Sequence, residues 1–312
     1  MVRTAAIPAI TASLLAASAA QAEPFTVVAY GDVPYGEPAE VYPPFEALIG
    51  AINAAAPRLA IHIGDTKSGS TVCSDEILAE QLDYLNAVEA PVLYTPGDNE
   101  WTDCHREAAG GLDPLERLAH IRETYFAEPG TSFGASPIEV ESQGGATPEN
   151  VRLRVDDVLF MTAHVVGSNN NFQTRDMAAV EEFAARDAAS TAWLEESFQG
   201  AGDAAAAVVA IHADMFGEGF DAEDGEWPGH SGFAGFGAAL KEQAAAFGRP
   251  VMLVYGDSHV FTQSRPFPVE APNLMALEVP GADAMHAVEI GVDPEAPGVF
   301  SVSLLENPAL SN

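Results

Sequence analysis

The chain has 312 residues, 47% of them hydrophobic, and a formal net charge of −33 from 46 acidic against 13 basic side chains. So few cations cannot neutralise a phosphate backbone or an anionic bilayer, which argues against nucleic-acid and membrane partners, while the apolar content is ample for a large domain. The charge reads as a solubility adaptation to a salty medium, where self-repulsion is screened, with a surface for cationic partners as the alternative.

In chain order, residues 1–22 read as a secretory signal peptide: Arg3 supplies positive charge, 5–20 is mostly small and apolar, and Ala20-Gln21-Ala22 is a small-x-small cleavage site. Export to the periplasm or the medium is therefore expected. No later segment has the roughly 20 apolar residues of a membrane span. Residues 23–312 are read as one domain. Strand 25–30, a loop carrying Pro34, Pro38, Pro43 and Pro44, helix 45–56, strand 58–63, helix 75–88 and strand 91–95 follow. This alternation predicts a largely parallel sheet with right-handed crossovers.

The rhythm breaks over 105–150, which holds a helix at 114–126 and a Gly/Pro/Ser-rich stretch at 129–149. It reads as an insertion over the site. Strands 151–156 and 158–165 flank an Asp156-Asp157 turn, and helix 176–199 and strand 206–211 come next. The segment 215–236, with Phe216, Phe220, Trp227, Phe233 and Phe236, reads as a long loop shaping the pocket. Helix 237–247, strand 251–255 and three short antiparallel strands over 273–305 complete the chain.

Four apolar runs end in Gly-Asp: Gly31-Asp32, Gly64-Asp65, Gly97-Asp98 and Gly256-Asp257. Each reads as a buried strand that presents a carboxylate on a turn. Neighbouring strand ends in an α/β sheet share one crevice, where four carboxylates demand compensating cations. His212 closes strand 206–211 and His259 follows Asp257 by two residues, adding imidazole to the donor set. Cys73 and Cys104 follow two of these turns, so a disulfide pinning both site loops is expected in an exported protein.

The order of Asp32, Gly64-Asp65, Gly97-Asp98, His212 and Gly256-Asp257-Ser258-His259 resembles the calcineurin-like metallophosphoesterases, which include purple acid phosphatases, over roughly 25–262. The resemblance implies an α/β fold, an αββα sandwich of two mixed sheets flanked by helices, with a dinuclear metal site. Asp32 and His259 would then hold a first metal, Asp65 would bridge, and His212 would sit on the second. The motifs also depart from that family. Pro34 stands where the first motif has His, Asp98 takes the place of a ligating Asn, Asn99 replaces the catalytic His, and Asp257 replaces a further His. The second metal would see Asp65, Asp98, Asp257 and His212, an oxygen-rich set that favours Mn, Mg or Ca over Zn. One or two ions of Mn, Fe, Zn or Mg are expected.

Packing is the expected role of Tyr35, with metal ligation the alternative. Lys67 reads as a solvated lysine, as a cation for a phosphoryl oxygen, or as a replacement for the charge of a missing metal, in a salt bridge with Asp32 or Asp65. His164 reads either as a structural histidine or as the general acid that Asn99 cannot be. His62 is expected in the core. The reading as a whole is an exported hydrolase cleaving a small phosphate mono- or diester by metal-activated water, with Asn99, Lys67 and His164 as catalytic candidates. The alternative is a non-catalytic protein that binds metal or a phosphate-bearing ligand on the same fold.

Overall fold

The computed structural model describes residues 23–217 and 219–310, so the expected signal peptide at 1–22 lies outside the described residues. Twelve strands form two sheets among the described residues: β1 (Phe25–Tyr30), β2 (Leu59–His62), β3 (Val92–Tyr94), β4 (Glu141–Ser142), β5 (Val151–Val155), β6 (Val158–Thr162), β7 (Ala206–Ala210), β8 (Val251–Tyr255), β9 (Thr262–Ser264), β10 (Leu274–Glu278), β11 (Ala287–Val292) and β12 (Phe300–Leu305). The first sheet runs β12-β11-β1-β2-β3 and the second β4-β5-β6-β7-β8-β10-β9. Strands β1, β2 and β3 are parallel, as are β6, β7, β8 and β10, while the remaining strands pair antiparallel at the edges. Both sheets are therefore mixed.

Strand alternation explains the layers. Val27, Ala29, Ile61 and Leu93 face inward and meet Phe160, Val208, Met252 and Val254 of the other sheet. Their neighbours Val28, Tyr30, Ala60 and Tyr94 face outward, under helices α1 (Pro38–Ala55), α2 (Asp75–Asn86) and α3 (Pro114–Thr124). On the far side Met161, Val209 and Leu253 pack under α4 (Met177–Gly200) and α5 (Ala234–Phe247). With both faces covered, the parallel strands are largely apolar, with buried His62 an exception in β2.

Several elements differ from the sequence reading. Helix α1 starts at Pro38, a full two turns before the expected 45. Pro38 occupies the first helical position, which needs no N–H partner, and the carbonyls that Pro43 and Pro44 leave without donors belong to exposed Ala39 and Glu40, where water serves them. The three C-terminal strands do not form one antiparallel set. β10 lies parallel to β8, whereas β11 and β12 join the other sheet beside β1. Of the aromatics of 215–236, Phe216, Phe220 and Trp227 pack on one another and on Phe267, and Phe233 and Phe236 join them against the outer core of the second sheet, so these side chains serve apolar burial. Within 105–150, α3 packs on the first sheet's outer face, and Phe133 bridges to Val92 at its edge.

Candidate metal centre

Every strand that contributes to the centre ends there at its carboxyl terminus: β1 delivers Asp32, β2 Asp65, β3 Asp98, β7 His212, and β8 both Asp257 and His259. The Gly-Asp sequence has a steric cause. A Cβ on Gly97 would collide with Oδ1 of Asp65 and stand 2.5 Å from the Asp65 nitrogen, and one on Gly256 would collide with Oδ2 of Asp32. Each of these glycines thus leaves room for the carboxylate of a neighbouring turn. Asp32, Asp65, Asp257 and His259 all hold left-handed φ angles, of 54°, 55°, 77° and 64°. Such torsions in non-glycine residues cluster where a fold over-determines functional geometry.

Ligand atoms of Asp32, Asp65 and His212 lie within 4.8 Å of one another, and so do those of Asp98, His212 and Asp257. His212 belongs to both groups. Its Nδ1 lies 3.0 Å from the Ile63 carbonyl, which can only accept, so Nδ1 carries a proton and Nε2 is turned to the aspartates, whose charges favour a proton on it where a metal ion does not take its lone pair. That nitrogen faces Asp98 Oδ1 at 3.1 Å, Asp65 Oδ1 at 3.5 Å and Asp257 Oδ1 at 3.8 Å. Acceptors facing acceptors need a shared cation, either protons or a metal ion. Among the described residues no Lys or Arg pairs with any of these four aspartates; only His212 and His259 do.

Electrostatics make the same point. Burial, the negative charge of Asp257 and that of Asp98 push Asp32 up to about 8 against the pull of His212. Burial and neighbouring carboxylates raise Asp65 well above the ordinary range, and Asp257 is raised to about 6 by burial first and Asp98 next. Burial opposes ionisation of Asp98 too, but the hydrogen bond and charge of His212 bring it down to about 2. Oδ1 of Asp32 is buried with no hydrogen-bond partner. An orphaned carboxylate oxygen, hard oxygen donors and an oriented imidazole fit a divalent cation.

Tyr35 and Asn99 enter the centre differently from expectation. The Tyr35 hydroxyl donates to Oδ2 of Asp65, so it does more than pack, and its ring stands edge-on to His259 at 5.1 Å between centroids. Asn99 donates its backbone N–H to Asp65 Oδ1 at 3.0 Å, and its side-chain amide to Asp65 Oδ2 and to Tyr35 at 2.8 Å. His259 is one-third exposed, with Nε2 3.8 Å from Asp32 Oδ1. Lys67 is 1% exposed, and its ammonium donates to the Ser68 carbonyl at 3.2 Å. It is neither a solvated surface lysine nor in a salt bridge with Asp32 or Asp65.

His164 is not brought to the centre. It is fully buried, with Nδ1 2.7 Å from Oε1 of buried Glu149, which also pairs with Arg122. Burial pushes its imidazole down to about 4, so it is neutral and structural. His62 lies in the core, its Nδ1 accepting from the Gly64 N–H at 3.1 Å between the Tyr30 and Tyr94 rings. The Cys73–Cys104 disulfide is present and joins the loops after β2 and β3.

The sequence reading missed several positioning residues. Glu100 is buried and accepts from Thr66 N at 2.7 Å, Gly97 N at 3.1 Å and the Tyr94 hydroxyl at 3.2 Å, tying the Asp65 turn to the Asp98 turn. A Cβ on Gly167 would stand 2.6 Å from Asp257 Oδ1 and 2.8 Å from Asp98 Oδ2. After Gly167 the backbone runs left-handed through Ser168, Asn169, Asn170 and Asn171, with φ between 49° and 59°. Buried Arg186 holds this run, donating to Asn170 Oδ1 at 2.6 Å and to the Asn170 carbonyl at 2.9 Å. Three successive asparagines are the legible signal, since a short polar side chain tolerates that conformation best after glycine.

No protein-family profile matches the sequence, and no curated protein sequence matches it. Solved structures do. A 5'-nucleotidase of Candida albicans is 11% identical with a TM-score of 0.48 over 89% of this chain and 50% of its own. A dimetal phosphatase of Danio rerio is 10% identical with a TM-score of 0.48 over 91% of this chain and 100% of its own. The purple acid phosphatase from yellow lupin seeds is 12% identical, with a TM-score of 0.52 over 91% of this chain. The chain spans 54% of the lupin enzyme's length. With two mixed sheets, flanking helices and carboxylates at the strand ends, the chain has the calcineurin-like metallophosphoesterase fold.

Proposed function

We propose that this chain is an exported, metal-dependent phosphoesterase acting on a small phosphate mono- or diester, with residues 1–22 as signal peptide and 23–312 as the catalytic domain. The observation that carries the reading is the pair of donor groups meeting at His212, with four aspartates that have no lysine or arginine partner among the described residues. Asp32, Asp65 and His259 would hold one ion, and Asp65, Asp98, Asp257 and His212 a second. Ions bound there would supply Lewis-acid polarisation of phosphoryl oxygens and a water molecule of lowered pKa. The Ile63 carbonyl fixes the His212 tautomer, and Tyr35 and Asn99 fix the Asp65 carboxylate.

Asn99 is thereby a positioning residue, and Lys67 supplies positive charge toward the phosphoryl group. His164 takes no part. With no imidazole left to protonate the leaving group, the site suits esters and anhydrides whose leaving group departs as a stable anion.

Metal content of protein purified without chelator, beside an Asp65→Asn variant, tests the reading. One to two equivalents of Mn, Fe or Zn, lost in the variant, together with release of p-nitrophenol from p-nitrophenyl phosphate, is the expected result. Metal without turnover favours a binding protein, a reading for which the engagement of Asn99 and His164 in other bonds speaks. No metal, even on titration, overturns the hydrolase and leaves a protein that binds a phosphate-bearing ligand on this fold.

A further inference from the structure

Beside the centre lies a cleft of about 760 Å³, walled by the loop after β3, the start of α3, the left-handed run and the residues leading into α4. Its cations are Arg106 and Arg175, two of only 13 basic side chains in the chain. Arg106 connects cleft and centre. Its Nη2 pairs with Asp103 Oδ2 at 2.7 Å and reaches Ser168 Oγ at 3.5 Å, while Nη1 has no partner among the described residues. A Cβ built on Gly69 would stand 2.9 Å from that Nη1 and 2.6 Å from Asn99 Oδ1, so the guanidinium and Asn99 flank the same glycine. Asn99 in turn holds Asp65.

Of the cleft's three carboxylates, Asp103 takes up Nη2 of Arg106 and leaves Nη1 open, and the other two are turned to backbone N–H groups. Asp113 is spent on the N–H groups of Leu115 and Glu116, and Asp176 on those of Ala178 and Ala179. Arg175 is exposed and makes no ion pair among the described residues.

We propose that the cleft is a second-anion subsite: Arg106 and Arg175 hold a carboxylate or a further phosphate carried by the leaving group of the ester. The planar guanidinium matches either anion with two parallel N–H groups. This inference rests on the phosphoesterase reading and narrows its substrate class to bis-anionic phosphoesters.

The test uses three probes on one three-carbon frame: glycerol 1-phosphate, 3-phosphoglycerate and glycerol 1,3-bisphosphate. Binding to the Mn-loaded protein is measured by calorimetry for wild type, Arg175→Gln and Arg106→Gln/Arg175→Gln. Wild type is expected to favour the two bis-anionic probes over glycerol 1-phosphate by about tenfold or more. That ratio should fall toward one in the double variant and part-way in Arg175→Gln, whose exposed side chain can be replaced without disturbing the fold. Preference for one bis-anionic probe over the other identifies the anion as carboxylate or phosphate. Equal binding of all three probes, or a preference that survives in the double variant, overturns the subsite and leaves the phosphoesterase reading standing. If none of the three binds to protein that has taken up Mn, the subsite fails, and turnover of p-nitrophenyl phosphate by the same protein decides the phosphoesterase reading separately.

Discussion

Tyr35 and Asn99 donate to the same oxygen of Asp65, its Oδ2, and the Asn99 amide also donates to the Tyr35 hydroxyl at 2.8 Å. Two residues distant in sequence thus close a small ring of donors around the carboxylate shared by both proposed metal positions. Removing one donor by Tyr35→Phe is expected to weaken Mn binding by about ten- to a hundredfold, as loss of an outer partner does elsewhere. Calorimetric titration of the variant checks this. Unaltered affinity would show that Tyr35 only packs.

Gly97→Ala places a methyl group against Asp65, with 2.5 Å to its nitrogen and 2.9 Å to its Cγ. Neither turn can yield without moving a strand end. The expected cost is about 1–3 kcal/mol in urea unfolding, together with loss of bound metal. Retention of metal at wild-type stoichiometry would disprove the interlocking of these turns.

The disulfide closes a stretch 31 residues long between Cys73 and Cys104. Its loss in Cys73→Ala/Cys104→Ala is expected to cost about 3–4 kcal/mol, most of it through the greater freedom of the unfolded chain. Because Asp65, Lys67, Asp98 and Asn99 ride on the joined loops, reduction with dithiothreitol should lower Mn affinity before global unfolding is seen by circular dichroism.

His164 is held neutral, its imidazole pushed down by burial to about 4 from an ordinary 6.5. The unfolded chain takes up this proton first. Its contribution to stability is therefore fully present above pH 6.5 and is lost as pH falls from there to about 4, to the extent of about 3 kcal/mol. Urea unfolding of wild type and His164→Asn between pH 7 and 4.5 should show a difference that shrinks on acidification. The same variant should keep kcat on p-nitrophenyl phosphate within a few fold, whereas loss of a general acid costs about a hundredfold or more.

The fold was legible wherever one residue type had one structural use. Gly-Asp after an apolar run marked four strand ends, because a buried parallel strand is largely apolar on both faces and its exit is crowded, by a neighbouring carboxylate at Gly97 and Gly256, by the Ile63 side chain at Gly31 and by the backbone of Pro96 and Gly97 at Gly64. Pro43 and Pro44 misled, since a helix tolerates them where the freed carbonyls meet water, and sequence does not record that exposure. Among the site candidates, His164 stands after β6 as His212 stands after β7, and local pattern cannot separate them. The distinction comes from Glu149, a partner fifteen residues away that no spacing rule would single out. Tyr35 and Glu100 were hidden for a similar reason: their importance lies in which carboxylate turn they reach across to.

The run from Ser168 to Asn171 raises a question of handedness. Four L-residues in succession hold torsions that their mirror images would adopt at rest, at a cost of about 1–2 kcal/mol each, less for asparagine. The rim of the centre is thus loaded against its own stereochemistry, and the guanidinium of Arg186 keeps it so. Were that anchor released, the segment would gain by unwinding to the ordinary hand and would carry Gly167 away from Asp98 and Asp257. The contour of the centre is therefore set partly by a chirality conflict one layer behind it, and a D-asparagine placed in this run by semisynthesis would stabilise the chain where any bulky L-residue would open it.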